Sequence, residues 1–366
     1  MKTYDLTVIG AGIIGAACAE AAAGAGLRVA IIESGVIGGG STAAAMGHLV
    51  AMDEDPAELA LSTYSLRLWD AYAELPEAEF SRCGTLWVAR DEREMASIPA
   101  KIARLAAAGL QAHAIDAKEL YRREPELASG MAGGMLAPAE AVVYPPRMAR
   151  YLVARACENG AQLFAGRRAV ALTDGGVTLD DSSRFAGPVL VATGCALQEL
   201  VPELPMRSRK GQLVITDRYP GLVRHQLLEL GYADSAHGNA DSSVAFNVQP
   251  RPTGQLLIGS SREFDKGDRN ISGALLRSML DRAFAFLPML RDLQAIRVWT
   301  GLRPTTPDGR PYLGALPHHR HTWVAAGHEG LGITMALGSA RLLMDLMLGR
   351  APAIDANPYA PARVLA

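Results

Sequence analysis

The feature that most restricts this chain is Gly10-x-Gly12-x-x-Gly15, set between an apolar run ending at Ile9 and an Ala-rich helical run from about Ile13 to Ala25. Glycine at the first position permits a tight turn, at the second it lets a phosphate approach the backbone, and at the third it lets helix and strand pack closely. The helix N-terminus then faces whatever the turn holds, and its unpaired N–H groups favour an anion. Arg28 to Ile32 forms a second apolar run ending in Glu33, where a carboxylate can accept from both hydroxyls of an adenosine ribose and would repel a 2′-phosphate. Strand, turn, helix, second strand and acidic terminus together predict a βαβ unit that binds a dinucleotide, without saying which one.

The remaining composition narrows the partners. Lys and Arg number 36 against 38 Asp and Glu, a formal charge of −2, so there is no basic excess to collect phosphates and nucleic acid is excluded as a partner. Cys18, Cys83, Cys157 and Cys195 lie far apart and form no CxxC pair, which argues against zinc, iron–sulfur ligation and a disulfide framework. No metal site is expected; His318, His319 and His321 after Pro317 read as an exposed turn without a carboxylate at ligand spacing. The N-terminus runs directly into the first strand, with no basic and apolar leader pattern, and the apolar stretch Ala11 to Leu27 carries Glu20 and several glycines. The expectation is a cytoplasmic protein without a transmembrane helix.

Beyond the βαβ unit, periodic helical segments are expected at Leu59 to Tyr72 and Ile98 to Ala108, separated by a short strand, Thr85 to Ala89. A helix from Met148 to Asn159 precedes short strands near Ala169 to Leu172, Val177 to Leu179 and Pro188 to Ala192. From Gln212 to Gly259 longer strands with polar, Gly-containing turns suggest an antiparallel sheet, followed by a helix near Gly273 to Ala285 and a strand near Ile296 to Gly301. The tail returns to strand and helix, His321 to Ala326 and Leu331 to Leu348. Asp53-Glu54-Asp55 reads as a solvated helix start. Nucleotide-type segments thus occur at both ends and in the middle.

Four further segments bear on the ligand. Gly38 to Gly47 is a small-residue stretch that can lie flat against a second phosphate, with Ser41 and Thr42 as donors. Val189-Leu190-Val191-Ala192-Thr193-Gly194 is an apolar strand ending in a small turn. Trp299-Thr300-Gly301-Leu302-Arg303-Pro304 and Gly327-His328-Glu329-Gly330-Leu331-Gly332-Ile333 complete the set. In this order, over nearly the whole length, the segments resemble the D-amino acid oxidase superfamily, nearest the glycine oxidase, sarcosine oxidase and D-hydroxyproline or opine dehydrogenase group. The resemblance implies an α/β fold in which a Rossmann-like FAD-binding domain carries an inserted, mostly antiparallel β-sheet substrate domain of α+β type. Residues 1–80, 142–207 and 299–366 are expected to form the first, and 81–141 and 208–298 the second.

The same resemblance implies FAD and oxidation of a C–N bond by hydride transfer to flavin N5. Cofactor contacts are expected from Gly10, Gly12, Ile13, Ile14 and Gly15, from Glu33 and Ser34, and from Ser41, Thr42, Ala45, Met46 and Gly47. Val170, Ala192, Thr193 and Gly194 are expected to add to them, as are Gly301, Arg303 and the run Gly327, His328, Glu329, Gly330, Leu331, Gly332 and Ile333. No Cys follows Cys195 to form a thioether, and Ala44 takes the place of the His that carries the flavin in other relatives. Noncovalent FAD is therefore expected, with His48, just beyond, as the other attachment candidate.

Arg303 matches the family's carboxylate-binding arginine, because a guanidinium fork pairs bidentately with a carboxylate and fixes the α-carbon. The alternative is an ordinary ion pair with Asp308. Many relatives place a Tyr ahead of a Pro-Arg strand end where this chain has Asn247 in Phe246-Asn247-Val248-Gln249-Pro250-Arg251, a departure that points away from glycine and makes Asn247 a partner for a ring hydroxyl or amide. The first expectation is a D-hydroxyproline- or D-proline-type dehydrogenase. Glycine or sarcosine oxidase, an opine oxidase, and a flavin-carrying subunit that needs partner chains are the alternatives. The electron acceptor is a quinone, a dye, oxygen or a partner subunit, and homo- or hetero-oligomers both remain open.

Overall fold

Leu6–Ile9 and Val29–Glu33 are short apolar runs buried along nearly their whole length, as central parallel strands must be. In the computed structural model, which describes residues 2–52, 54–231, 242–264, 267–319 and 321–365, they pair in parallel from Leu6 with Val29 to Ile9 with Ile32. They are the inner strands of a six-stranded sheet in the order Tyr312–Ala315, Thr322–Ala326, Val189–Val191, Leu6–Ile9, Val29–Glu33, Gln162–Ala165. Only the edge strand Tyr312–Ala315 is antiparallel. The crossover helix Ile13–Gly24 is almost entirely small residues, so Pro145–Glu158 and Gly332–Met347 pack closely against it. The segment Glu329–Met347 is long and apolar enough to cross a membrane by length and composition, but most of it is buried inside this fold against Ile13–Gly24 and Pro56–Trp69.

A second sheet has eight strands, in the order Ala295–Thr305, Arg207–Arg218, Gln255–Phe264, Ser242–Pro250, Gln226–Glu229, Thr85–Ala89, Gly133–Ala137, His113–Asp116. It is antiparallel except where Gln226–Glu229 runs parallel to Thr85–Ala89. Strand alternation sorts its faces. Phe246 and Val248 enter a core beneath the helix Gly273–Phe286, where the Phe246 and Phe286 rings stack at 4.2 Å, while Asn247 and Gln249 take the other face.

Several boundaries differ from the sequence-based expectation for local reasons. The helix expected from Leu59 begins at Pro56, because Asp55 caps it by accepting from Glu58 N at 2.8 Å; Asp53 lies outside the described residues. Asp91 likewise starts the next helix at Glu92, ahead of the expected Ile98. The strand expected to stop at Gly301 continues to Thr305, since Arg207–Arg218 pairs with it as far as Arg207 opposite Thr305. Ala169–Thr173 joins a separate four-stranded sheet with Lys2–Thr3, Gly176–Leu179 and Arg184–Ala186.

The apolar C-terminal helix meets its neighbour at a glycine. A Cβ on Gly338 would stand 2.9 Å from Ser65 Cβ and 3.2 Å from Leu61 Cδ1, and Gly338 N donates to Ser65 Oγ at 2.9 Å. Gly338→Val is expected to cost about 1–3 kcal/mol by overpacking this seam. Urea unfolding measures the cost, and an unchanged midpoint would contradict the close approach.

Candidate functional site

The glycine turn is built as its spacing suggests. Gly10 has φ +100°, a Cβ on it would lie 2.5 Å from Ala192 O, and a Cβ on Gly15 would lie 1.9 Å from Gly10 O. Gly15 is therefore fixed by packing beneath the turn and is not on the cavity wall, whereas Gly10, Gly12, Ile13 and Ile14 line it. Thr42 Oγ1 accepts from Ile13 N at 3.0 Å, and the other early N–H groups of the helix have no side-chain cap and no acidic residue beside them. That positive end opens into a cavity of about 460 Å³, within the range of cofactor sites. At the end of the second strand, Glu33 accepts from Ala11 N at 2.7 Å and Gly35 N at 2.6 Å. Its carboxylate is held in place on the cavity wall with acceptor capacity to spare, next to Ser34.

Ala45, Ala192, Thr193, Gly194 and Gly301 line the same cavity, as do Gly327, His328, Glu329, Gly330, Gly332 and Ile333. Leu331 does not; it is buried behind them. Val170 does not either. It sits at the register shift between Ala169 and Ala171, its side chain is 48% exposed, and Arg167, Arg168 and Ala169 form the wall instead. Ser41 lines the cavity, but its hydroxyl proton goes to Leu302 O at 2.6 Å, where a phosphate oxygen was expected. His328 is tied to Ser339 Oγ at 2.9 Å, and Glu329, at φ +44°, pairs with Arg209.

A smaller cavity of about 100 Å³ shares Ser41, Ala45, Gly301, Leu302, Glu329, Gly330 and Ile333 with the first, so the two adjoin. Met46, Gly47, His48, Asn247, Arg262 and Arg303 line it in addition. Arg303 Nη1 donates to Ser261 O at 3.1 Å, and the guanidinium lies directly over Gly211, where a Cβ would stand 2.4 Å from Nη1. Asp308, the alternative ion-pair partner, is occupied by Arg363 at 2.7 Å. The sequence reading missed Arg262 and gave Gly211 no role beyond shaping the entry to the substrate sheet. The period-two pattern of the strand Gln255–Phe264 carries the signal for Arg262, while Gly211 is explained only by its cross-strand neighbour.

His48 is anchored through its main chain, since Thr334 Oγ1 donates to His48 O at 3.0 Å and accepts from Val50 N at 3.2 Å. Its ring is held at both nitrogens, Nδ1 to Gln226 Oε1 at 2.6 Å and Nε2 to Asn247 Nδ2 at 3.1 Å. Asn247 is 1% exposed, so it is no solvent-facing strand residue. Burial pushes His48 down to about 4, helped by the nearby Arg303 charge, and pushes His328 down to about 3, leaving both rings neutral at neutral pH.

Neutral buried histidines give a signed pH dependence. An unfolded histidine titrates near about 6.5, so below that pH the unfolded chain takes up a proton that His328 in the fold refuses. Stability from this residue is intact above about pH 6.5 and falls as the pH drops, by roughly 2 kcal/mol at about pH 5. Urea unfolding at about pH 7.5 and about pH 5 should show His328→Asn losing about 2 kcal/mol less than wild type over this range. Equal losses would contradict a neutral, buried His328.

Comparison with known proteins places the fold in a family. Residues 5–346 match the family described as FAD dependent oxidoreductase. The chain is 32% identical to the glycine oxidase of Pseudomonas aeruginosa across 98% of both chains. It is also 32% identical to D-amino acid dehydrogenase 2 of Ralstonia nicotianae, across 83% of this chain and 75% of that one. The crystal structure of glycine oxidase from Geobacillus kaustophilus matches with a TM-score of 0.88 at 28% identity, covering 99% of both chains. The chain belongs to the FAD-dependent oxidoreductase family, and it is an FAD-dependent enzyme acting on the C–N bond of an amino acid or amine.

Proposed function

We propose that the larger cavity holds FAD noncovalently and that the smaller one holds a cyclic secondary amino acid, D-hydroxyproline or D-proline first. The observation that carries this reading is the meeting of Arg303, Asn247 and His48 in one small cavity against the larger one. FAD bound there would supply the two-electron acceptor for oxidation of the substrate C–N bond. Arg303 holds the carboxylate, and its bond to Ser261 O keeps the guanidinium from swinging away. The uncapped N-terminus of the helix Gly332–Met347 lies at the boundary of the two cavities, where it favours negative charge. Met46, Leu213 and Ile333 give the smaller cavity apolar walls that exclude water. A compact, polar-tipped pocket with an amide in place of a tyrosine favours a ring substrate over glycine.

Noncovalent attachment is supported by the donor set. Both His48 nitrogens are already hydrogen-bonded, and the Cys195 thiol on the wall of the larger cavity donates to Leu302 O, with burial raising its pKa. Acid precipitation of the holoenzyme should leave a colourless pellet and a yellow supernatant. Glu33→Ala should weaken FAD binding roughly 10- to 100-fold, the worth of a hydrogen bond to a charged group. Titration of the apoprotein with FAD checks this, and unchanged affinity would remove Glu33 from the site.

The substrate reading is tested with dye and oxygen assays across D-hydroxyproline, D-proline, glycine, sarcosine and opines. The cyclic amines should show the highest kcat/KM; better turnover of glycine or sarcosine would overturn the choice. Arg303→Ala should raise KM for every carboxylate-bearing amine by about 100-fold, reflecting loss of a charge-assisted bidentate pair. An unchanged KM would refute the carboxylate role.

A further inference from the structure

The hydrogen bonds around His48 have a direction, and one end of the chain sets it. Gln226 Nε2 lies 3.0 Å from Ala141 O, a carbonyl that can only accept, and 3.1 Å from Thr85 Oγ1. The Gln226 amide is therefore oriented, with Oε1 as the acceptor facing His48 Nδ1 at 2.6 Å. His48 must carry its proton on Nδ1, and its Nε2 must accept from Asn247 Nδ2 at 3.1 Å. Asn247 Oδ1 is what remains. It is buried, and among the described residues it has no hydrogen-bond partner, on a side chain that lines the smaller cavity.

We propose that Ala141, Gln226 and His48 act as a positioning relay that presents Asn247 Oδ1 to the substrate, where it accepts a hydrogen bond from the N–H of the amine being oxidised. The proposal rests on the reading of the smaller cavity as the amine site. Chemistry favours this donor. Arg262 and Arg303 in the same cavity have donors and no acceptors, and Glu329 is engaged by Arg209, so a substrate whose carboxylate sits on Arg303 meets the buried amide oxygen as an acceptor for its nitrogen. A neutral amide takes no proton. Asn247 can hold the nitrogen by its N–H while leaving the nitrogen lone pair for imine formation. An Oδ1 left without a partner is unfavourable in a buried site, so the relay selects amines that still carry an N–H.

The layout follows from the large sheet. Thr85, Gln226 and Asn247 stand on three successive strands of that sheet, with Gln226 directly opposite Thr85. His48 enters from the small-residue segment that lines both cavities, so the relay ties the substrate face of the sheet to the cofactor side. Nothing in the relay needs to move during turnover.

The test compares kcat/KM for D-proline with that for N-methyl-D-proline, and for sarcosine with that for N,N-dimethylglycine, in the holoenzyme. Wild type should prefer the N–H-bearing member of each pair by roughly 10- to 100-fold. Gln226→Met leaves the space around the substrate intact but frees His48 to carry its proton on Nε2, which turns the Asn247 amide. That variant and Asn247→Leu should bring both ratios close to one. Ratios that stay at the wild-type value in both variants overturn the proposal. Independently of activity, ¹⁵N-histidine NMR should find His48, identified by its loss in His48→Gln, in the Nδ1–H form in wild type and the Nε2–H form in Gln226→Met. An Nε2–H form in wild type also overturns it. Arg303→Ala separates the two readings: it should lower kcat/KM for both members of a pair alike. Failure of that result with the NMR outcome intact removes the amine site rather than the relay.

Discussion

The site depends on one contact between two glycine-enabled surfaces. Gly301, in the edge strand of the large sheet, packs on the short helix Gly40–Ala44 so closely that a Cβ would stand 2.4 Å from Ala44 Cβ. Ser41 Oγ to Leu302 O and Trp299 Nε1 to Ala44 O bracket that contact at 2.6 and 3.2 Å. Because the strand cannot slide or tilt there, Arg303 emerges two residues later at a fixed place beside the larger cavity. The wall shared by the two cavities is this seam. A side chain at residue 301 would separate the sheet from the helix and pull the two cavities apart.

Electrostatics builds on that geometry. The smaller cavity draws together Arg262 and Arg303, and Arg209 lies just behind it on Glu329, which lines both cavities. Glu329 pairs with Arg209, which offsets part of the positive charge gathered around this cavity. Gly211 contributes by having no side chain, which lets Arg303 lie flat across the neighbouring strand. The result is a cavity that is cationic on one side, amide-lined on another and apolar elsewhere.

Much of this was legible in the chain itself. The βαβ unit, the glycine turn and Glu33 are local patterns, and so is Thr85–Ala89, whose bounds match the expectation. Arg303 was found through a motif, although the strand that carries it runs further than periodicity suggested. What was not legible is non-local. Gln226 lies 178 residues from His48 in sequence and Asn247 lies 199 residues from it, so no window along the chain could connect them. Ser41 and Val170 show the same limit in reverse. Both stand where a ligand contact is plausible from sequence, but one hydroxyl is engaged by a distant carbonyl and the other side chain is turned to solvent by a register shift.

The helix termini show how the fold reserves its positive ends. Helices starting at Pro56, Glu92 and Ala117 are each capped by an aspartate, Asp55, Asp91 and Asp116, and each carries glutamate in its first turn. Two long helices that open onto the cavities, Ile13–Gly24 and Gly332–Met347, have neither a side-chain cap at the Ncap position nor an acid in the first turn. An aspartate at either would satisfy the same N–H groups and add about 0.5–2 kcal/mol of stability. It would also cancel the partial charge that an anionic ligand needs. At these two termini a pyrophosphate or a negatively charged ring would supply the partner that aspartate supplies at the starts Pro56, Glu92 and Ala117.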